Sequence, residues 1–192
     1  GDVGAALCGH PGVAGVVFTG STEVARLIQR QLAPRGPVPL IAETGGINAM
    51  IVDSSALAEQ VVGDVLSSAF DSAGQRCSAL RLLCLQSTIA DRTLEMIRGA
   101  MQELRVGDPA LLATDVGPVI TAEAADRISA HIDAMREAGH RVTQAPVDQD
   151  TGTFVAPTLI EIMGLKRPAE MTGKVLIAPA DARHGAERRA TA

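Results

Sequence analysis

The chain has 192 residues, 46% of them hydrophobic, with 17 Lys+Arg against 22 Asp+Glu for a formal net charge of −5. That apolar content argues against disorder, and a chain of this length can bury roughly 70% of its unfolded surface, enough for one domain or two small ones. With three Phe, no Tyr and no Trp there is no aromatic platform for stacking bases, and without a basic stripe there is no footprint for a phosphate backbone, so nucleic acid is not expected as a partner.

Residues 13–19 form a short, β-branched apolar run closed by Gly20-Ser21, which reads as a buried strand ending in a turn. A helix over Thr22–Leu32 should follow, with Val24, Leu27, Ile28 and Gln31 on its apolar face and Pro34-Arg35-Gly36-Pro37 ending it. Strand, turn, helix is the α/β pattern. Two further apolar runs, 38–42 and 47–52, are separated by Glu43-Thr44-Gly45-Gly46, where paired glycines open backbone conformations closed to other residues.

Asp53, Ser54 and Ser55 are candidate caps for a helix over 56–70, whose Leu57, Val61, Val65 and Ala69 recur every fourth residue. This helix runs into the small, polar turn Asp71-Ser72-Ala73-Gly74-Gln75-Arg76, which delivers Cys77. Residues 80–86 read as a strand, 89–104 as a helix capped by Thr88, and Gly107-Asp108-Pro109 as a turn. A helix over 122–138 carries Ile128, Ile132 and Met135 on one face, with Gly139 beyond its end. A last strand over 154–162 is demoted to an edge or a bulge by Pro157.

After Ile162 the character changes. Residues 163–192 hold six Lys+Arg against three Asp+Glu, including both lysines of the chain, Lys166 and Lys174, and are expected to form a divergent, poorly ordered tail. The three cysteines, Cys8, Cys77 and Cys84, make neither a disulfide scaffold nor a C-x-x-C pair, which suits a reducing, cytoplasmic location. No apolar run reaches the ~18–20 residues that span a bilayer, so no membrane association is expected. The start, Gly1-Asp2-Val3-Gly4, lacks both an initiator Met and a charged leader, as in a fragment.

Cys77 follows a flexible polar turn and has Arg76 beside it, which would favour thiolate and keep the sulfur accessible for nucleophilic attack. Cys84, between Leu83 and Leu85, reads instead as a small buried hydrophobe, and Cys8 has no chemical neighbours. Glu43, at a chain reversal between two buried runs, would be partly desolvated and able to act as a base; a solvated loop carboxylate is the competing reading. The strand-to-helix turn at Gly20-Ser21 offers backbone N–H groups to a phosphate, although neither G-x-G-x-x-G nor G-x-x-x-x-G-K-[ST] is present. Two readings of other kinds stay open: a cysteine hydrolase or acyltransferase pairing Cys77 with His131 or His140, and a non-catalytic truncated product.

In order along the chain, F-T-G-S-T-E-V, E-T-G-G and G-Q-R-C-S together resemble the aldehyde dehydrogenase superfamily, and the interval from Glu43 to Cys77 is similar to that family's spacing of base and nucleophile. The wider wording, P-L-I-A-E-T-G-G-I-N-A-M-I-V-D and A-F-D-S-A-G-Q-R-C-S-A-L-R, is similar to one branch, the glutamate-semialdehyde (pyrroline-5-carboxylate) dehydrogenase module of bifunctional proline utilization A proteins. The resemblance covers roughly residues 1–162. It implies an α/β fold in which the C-terminal part of a dinucleotide-binding domain, residues 1–44, leads into part of a catalytic α/β domain, residues 45–162.

It also implies roles. Cys77 would attack the aldehyde carbon, Glu43 would activate the water that releases the acid, and the Cys77 N–H would form half of an oxyanion hole. Gly20 and Ser21 would lie by the pyrophosphate of NAD+, Thr44 and Gly45 on the nicotinamide side, and Ser78 would anchor the amino-acid end of a small aldehyde substrate. A homo-oligomeric parent is implied, and no metal. The family's upstream Asn, which completes the oxyanion hole, and its E-x-F-G-P stretch do not occur in this sequence, so the chain alone is expected to be inactive.

Overall fold

The computed structural model describes residues 1–148 and 152–162. The expectation of a poorly ordered tail over 163–192 lies outside them. Sequence reading left the first residues unassigned, and they form a helix, α1 (Asp2–Gly9), whose end is held from a distance. The Arg35 guanidinium donates to the carbonyls of Cys8 at 2.7 Å, Pro11 at 3.2 Å and Val13 at 2.7 Å. These are orphan groups at a helix end and in the loop leaving it, which a five-donor fork can satisfy together.

The run 13–19 condenses to β1 (Val16–Thr19), which is half-buried rather than buried. Val16 and Phe18 turn inward while Val17 stays 80% exposed, the alternation of a strand covered on one face. Helix α2 spans Thr22–Leu32, as expected, because Ser21 caps it and Pro34 follows. Its inner stripe is displaced by one position: Ala25 and Leu32 are buried with Ile28 beside them, whereas Val24 and Leu27 face out. The chain returns as β2 (Leu40–Glu43), parallel to β1, with Thr19 opposite Glu43.

A second β-α-β unit follows. Strands β3 (Asn48–Val52) and β4 (Leu80–Leu85) pair in parallel, and α3 (Ala58–Phe70) is the crossover. Helix α4 (Ser87–Gln102) then packs on α3. One continuous core results from Val52, Val61, Val62, Val65, Leu80, Ile97, Met101 and Ala145, with Ile97 and Met101 fully enclosed. Its buried members are all aliphatic, with Phe70 the one aromatic packed against them among the described residues.

Two helix starts differ from expectation. The Asp53 carboxylate accepts from the Ser55 backbone N–H (2.8 Å) and hydroxyl (2.6 Å), forming a local Asx turn instead of capping a helix. Helix α3 therefore begins later, after Leu57 and without a side-chain cap. In α4, Thr88 lies inside the helix and Gln86 occupies the cap position.

Helix α5 (Ala122–Glu137), capped by Thr121, ends at Gly139 with φ +85°, and Ile132 is its buried residue. Strand β5 (Arg141–Gln144), which periodicity did not reveal, pairs antiparallel with β6 (Thr158–Glu161); β6 begins just after Pro157. An ion pair from Arg98 on α4 to Glu161 at 2.5 Å, with Arg141 at 3.5 Å, ties this hairpin to the core.

Each sheet among the described residues has two strands. On the β3–β4 pair, Ala49, Ile51, Leu82 and Cys84 share the outer face, so Cys84 is exposed rather than buried. The reason is topological: parallel strands are ordinarily covered on both faces, and here one face is open. No helix among the described residues is long and apolar enough to cross a membrane.

Candidate active site

The three motifs meet where the two parallel sheets adjoin. Strands β1 and β2 both point their C-terminal ends at this junction, while β3 and β4 both start from it. The Gly20 N–H donates to the Glu43 carbonyl at 3.1 Å, so the F-T-G-S turn and the start of E-T-G-G are in direct contact. At the other end of E-T-G-G, a Cβ on Gly46 would lie 3.4 Å from the Cys77 carbonyl oxygen. Glu43 and Gly46 are three residues apart, a stretch that reaches at most about 10 Å.

Neither Gly45 nor Gly46 has a positive φ. Their expected value as conformational hinges is not used. Gly46 instead allows close approach to the Cys77 turn, and the space beside Gly45 is open.

Cys77 is exposed and sits at the second position of a β-turn, Arg76-Cys77-Ser78-Ala79, closed by the Ala79 N–H on the Arg76 carbonyl at 3.2 Å. Ser78, also exposed, is the third position. The approach to this turn is left-handed at three successive residues, Ser72 (φ +56°), Ala73 (φ +53°) and Gly74 (φ +67°). Non-glycine residues reach that region at a cost of about 1–2 kcal/mol each, and such strain persists only where surroundings enforce it.

Four side chains provide the enforcement. The Asn48 Nδ2 donates to the carbonyls of Cys77 (2.7 Å) and Ala79 (3.0 Å). Gln75 donates to the Ser72 carbonyl at 3.0 Å and accepts from the Ile120 N–H at 2.7 Å, stapling the segment before α5 to the turn. Arg81 donates to the Gly74 carbonyl at 2.5 Å. Arg76 sends its guanidinium to the carbonyls of Ser67 (2.8 Å) and Ser68 (3.1 Å), in the last turn of α3.

Arg76 thus caps a helix C-terminus, where a cation complements the dipole. Asn48, Gln75 and Arg81 were not sequence candidates. Asn48 follows E-T-G-G-I directly, and that adjacency was the available signal.

Glu43 ends β2 and is exposed, so the partial desolvation expected for it is absent. Thr44 is half-buried and Gly45 exposed. Ser21 caps α2, its hydroxyl accepting from the Val24 N–H at 3.2 Å. At this helix start the Val24 N–H is taken by the Ser21 hydroxyl and the Ala25 N–H by the Ser21 carbonyl, and those of Ser21 and Thr22 have no hydrogen-bond partner among the described residues. The Glu23 carboxyl is held below its usual 4.5 first by its own backbone N–H, then by the Ser21 hydroxyl, with Arg26 and Arg127 adding smaller attractions. Unpartnered N–H groups at a helix start that follows a parallel strand could hold a phosphate.

Neither His131, exposed on α5, nor the half-buried His140 contributes a polar contact to the Cys77 turn among the described residues. A cleft of about 360 Å³ lined by Val52, Ser54, Leu57, Glu59, Ile89 and Arg92 opens at the opposite end of β3–β4, away from the nucleophile candidate.

Residues 1–166 match the family described as "Aldehyde dehydrogenase family". The chain belongs to the aldehyde dehydrogenase family. It is 62% identical over 172 residues to the bifunctional protein PutA of Escherichia coli (strain K12), covering 83% of this chain and 13% of that protein. To the PutA of Rhizobium meliloti it is 57% identical over 185 residues, covering 92% of this chain and 15% of the other. A 1-pyrroline-5-carboxylate dehydrogenase of Geobacillus kaustophilus is 34% identical over 163 residues, 82% of this chain and 32% of that one.

Among solved structures, a variant of Bradyrhizobium japonicum proline utilization A superposes with TM-score 0.78 at 58% identity, covering 85% of this chain and 17% of that one. An Escherichia coli NADP-dependent enzyme does so with TM-score 0.77 at 33% identity, covering 83% and 33%. The α/β architecture is accordingly that of an aldehyde dehydrogenase, and members of this family use NAD(P). The chain spans 13–17% of the length of the PutA proteins it resembles.

Proposed function

We propose that this chain carries the nucleophile and the general base of an NAD+-dependent oxidation of L-glutamate γ-semialdehyde to L-glutamate, with residues 1–44 on the cofactor side and 45–162 on the catalytic side. The observation that carries this reading is the pair of backbone contacts, Gly20 to Glu43 and Gly46 to Cys77, that joins the three motifs at one junction. The substrate is taken from the printed names of the relatives, PutA and 1-pyrroline-5-carboxylate dehydrogenase.

In this mechanism the Cys77 sulfur bonds to the aldehyde carbon, and the carbonyl oxygen becomes an oxyanion facing the Cys77 N–H. The unpartnered N–H groups of Ser21 and Thr22 would hold a phosphate of the cofactor, with Gly20 turning the chain and Thr44 and Gly45 lining the nicotinamide side. NAD+, when bound, supplies the hydride acceptor that leaves the carbon as a Cys77 thioester. Glu43 then takes a proton from water, the water oxygen bonds to the thioester carbon, and the Cys77 thiolate departs. Ser78, next to the nucleophile and exposed, would bind the amino-acid end of the substrate.

Expressed by itself the 192-residue chain should bind NAD+ weakly and oxidise no semialdehyde, because one missing oxyanion donor alone costs about 10²–10³ in rate. The decisive test therefore replaces the matching stretch of a PutA-type relative with residues 1–162. NADH formation from glutamate semialdehyde should persist in that chimera. Cys77→Ser should abolish it, and Glu43→Gln should slow acid release about 10²–10⁴-fold while a first turnover of NADH survives. Activity that survives Cys77→Ser, or that depends on His131 and ignores Glu43, would refute the assignment.

A further inference from the structure

We propose that Asn48 is a positioning residue that locks the β-turn presenting Cys77, an inference that rests on Cys77 being the nucleophile. Type I and type II turns differ by a flip of the peptide between their two central residues, here Cys77 and Ser78. That flip swings the Cys77 carbonyl and the Ser78 N–H through about half a revolution, changing which of the two lies beside the thiol, while the Cys77 N–H belongs to the preceding peptide. Neither Cys77 nor Ser78 has a positive φ, so the turn is held in the form that excludes types II, I′ and II′.

The Asn48 carboxamide is what grips the flipping unit, through 2.7 Å to the Cys77 carbonyl and 3.0 Å to that of Ala79. Both partners are acceptors only, so the assignment of Nδ2 to this side of the amide is fixed by chemistry. The two bonds continue the β3–β4 pairing where main-chain pairing has become irregular: the register shifts between Asn48 and Ala49, leaving Arg81 as the extra residue of β4. A Cβ on Gly46 would lie 3.4 Å from the same carbonyl oxygen. A side chain at the first position of one strand thereby fixes the turn that precedes its neighbour.

Asn48→Asp is the sharp perturbation, since it keeps shape but, when ionised, replaces a donor with acceptors facing two carbonyl oxygens. Protonated, the same side chain regains one O–H donor, so the lock should return at low pH. The readouts are amide hydrogen exchange, corrected for intrinsic pH dependence, and alkylation of each cysteine by iodoacetamide followed by mass spectrometry, both on the 192-residue chain.

At neutral pH, Asn48→Asp should lower protection of the Ala79 amide at least tenfold, with recovery near pH 4, while amides of residues 82–85 stay unchanged. The alkylation rate of Cys77 at neutral pH should change at least threefold relative to Cys84 on the same strand pair. Unchanged Ala79 protection, a loss shared equally by Ala79 and residues 82–85, protection that does not return on acidification, or an unaltered Cys77 to Cys84 rate ratio would each overturn the proposal. Because none of these measurements needs turnover, failure of the dehydrogenase assignment and failure of the lock are separately visible.

Discussion

Gly74→Ala should be among the most damaging single-methyl changes this chain can receive. Gly74 has φ +67°, where an alanine costs about 1–2 kcal/mol. The new Cβ would also lie 2.7 Å from the Ala69 carbonyl oxygen and 3.0 Å from the Arg81 Nη1. The first of these atoms is main chain in the last turn of α3 and is unable to swing aside, so overpacking adds about 1–3 kcal/mol. Together they amount to about 2–5 kcal/mol, a large part of the ~5–15 kcal/mol that holds a domain folded.

Helix interiors supply controls of opposite sign. Gly63 in α3 and Gly99 in α4 have no heavy atom within 4 Å of a built Cβ, so alanine there should stabilise by about 0.5–1 kcal/mol. Urea unfolding followed by far-UV circular dichroism measures all three. A Gly74→Ala midpoint equal to that of the unsubstituted chain, or Gly63→Ala shifting the same way as Gly74→Ala, would refute the reasoning.

Two smaller effects are expected elsewhere. Ser21→Ala removes the α2 cap and should cost about 1 kcal/mol in the same assay, whereas Thr22→Ala, which loses no capping bond, should cost less. In acid, Glu23 and Asp53 should contribute to unfolding, since both carboxyls are held below their ordinary values of 4.5 and 3.8, Asp53 by the Ser55 hydroxyl and then its N–H. A depressed folded value means stabilisation present above the ordinary value and lost as pH falls through the lowered one. The melting temperature should therefore fall below about pH 4.5, less steeply in Asp53→Asn; a profile unaltered by that substitution would contradict the assignment.

What the sequence made legible was set by local physics. Helix α2 is bounded as expected because Ser21 and Pro34 act within a turn of the ends they define. The start of α3 was misplaced because Asp53 has a rival partner in Ser55, and composition does not say which wins. Strand β5 carries one apolar residue, Val142, among Arg141, Thr143 and Gln144, so its strand character comes from pairing with β6 rather than from its own pattern. Cys84 sits in an apolar run that looks buried, and its exposure depends on how many strands and layers cover it. For the candidate site, Cys77, Glu43 and the Gly20-Ser21 turn could be named from motif wording, whereas the bonds of Asn48 to the Cys77 and Ala79 carbonyls and of Gln75 to the Ile120 N–H join residues far apart in the chain and are visible only once it is folded.

The two halves of the junction solve different problems, which explains why their supporting residues differ. On the β1–β2 side, unpartnered N–H groups arise wherever a strand turns into a helix start, so one cap, Ser21, and one bond, Gly20 to Glu43, suffice to organise it. On the β3–β4 side the nucleophile candidate stands before a strand, on a turn that neither a helix nor a sheet ladder holds. Its approach is bent through three left-handed residues, and the strain must be opposed from outside. The side chains of Asn48, Gln75 and Arg81 do this by hydrogen bonding to backbone groups of residues 72–79, with Arg76 tying the turn back to α3. A nucleophile held in this way can keep its sulfur exposed without losing its direction, since rigidity comes from the main chain and leaves the thiol uncovered.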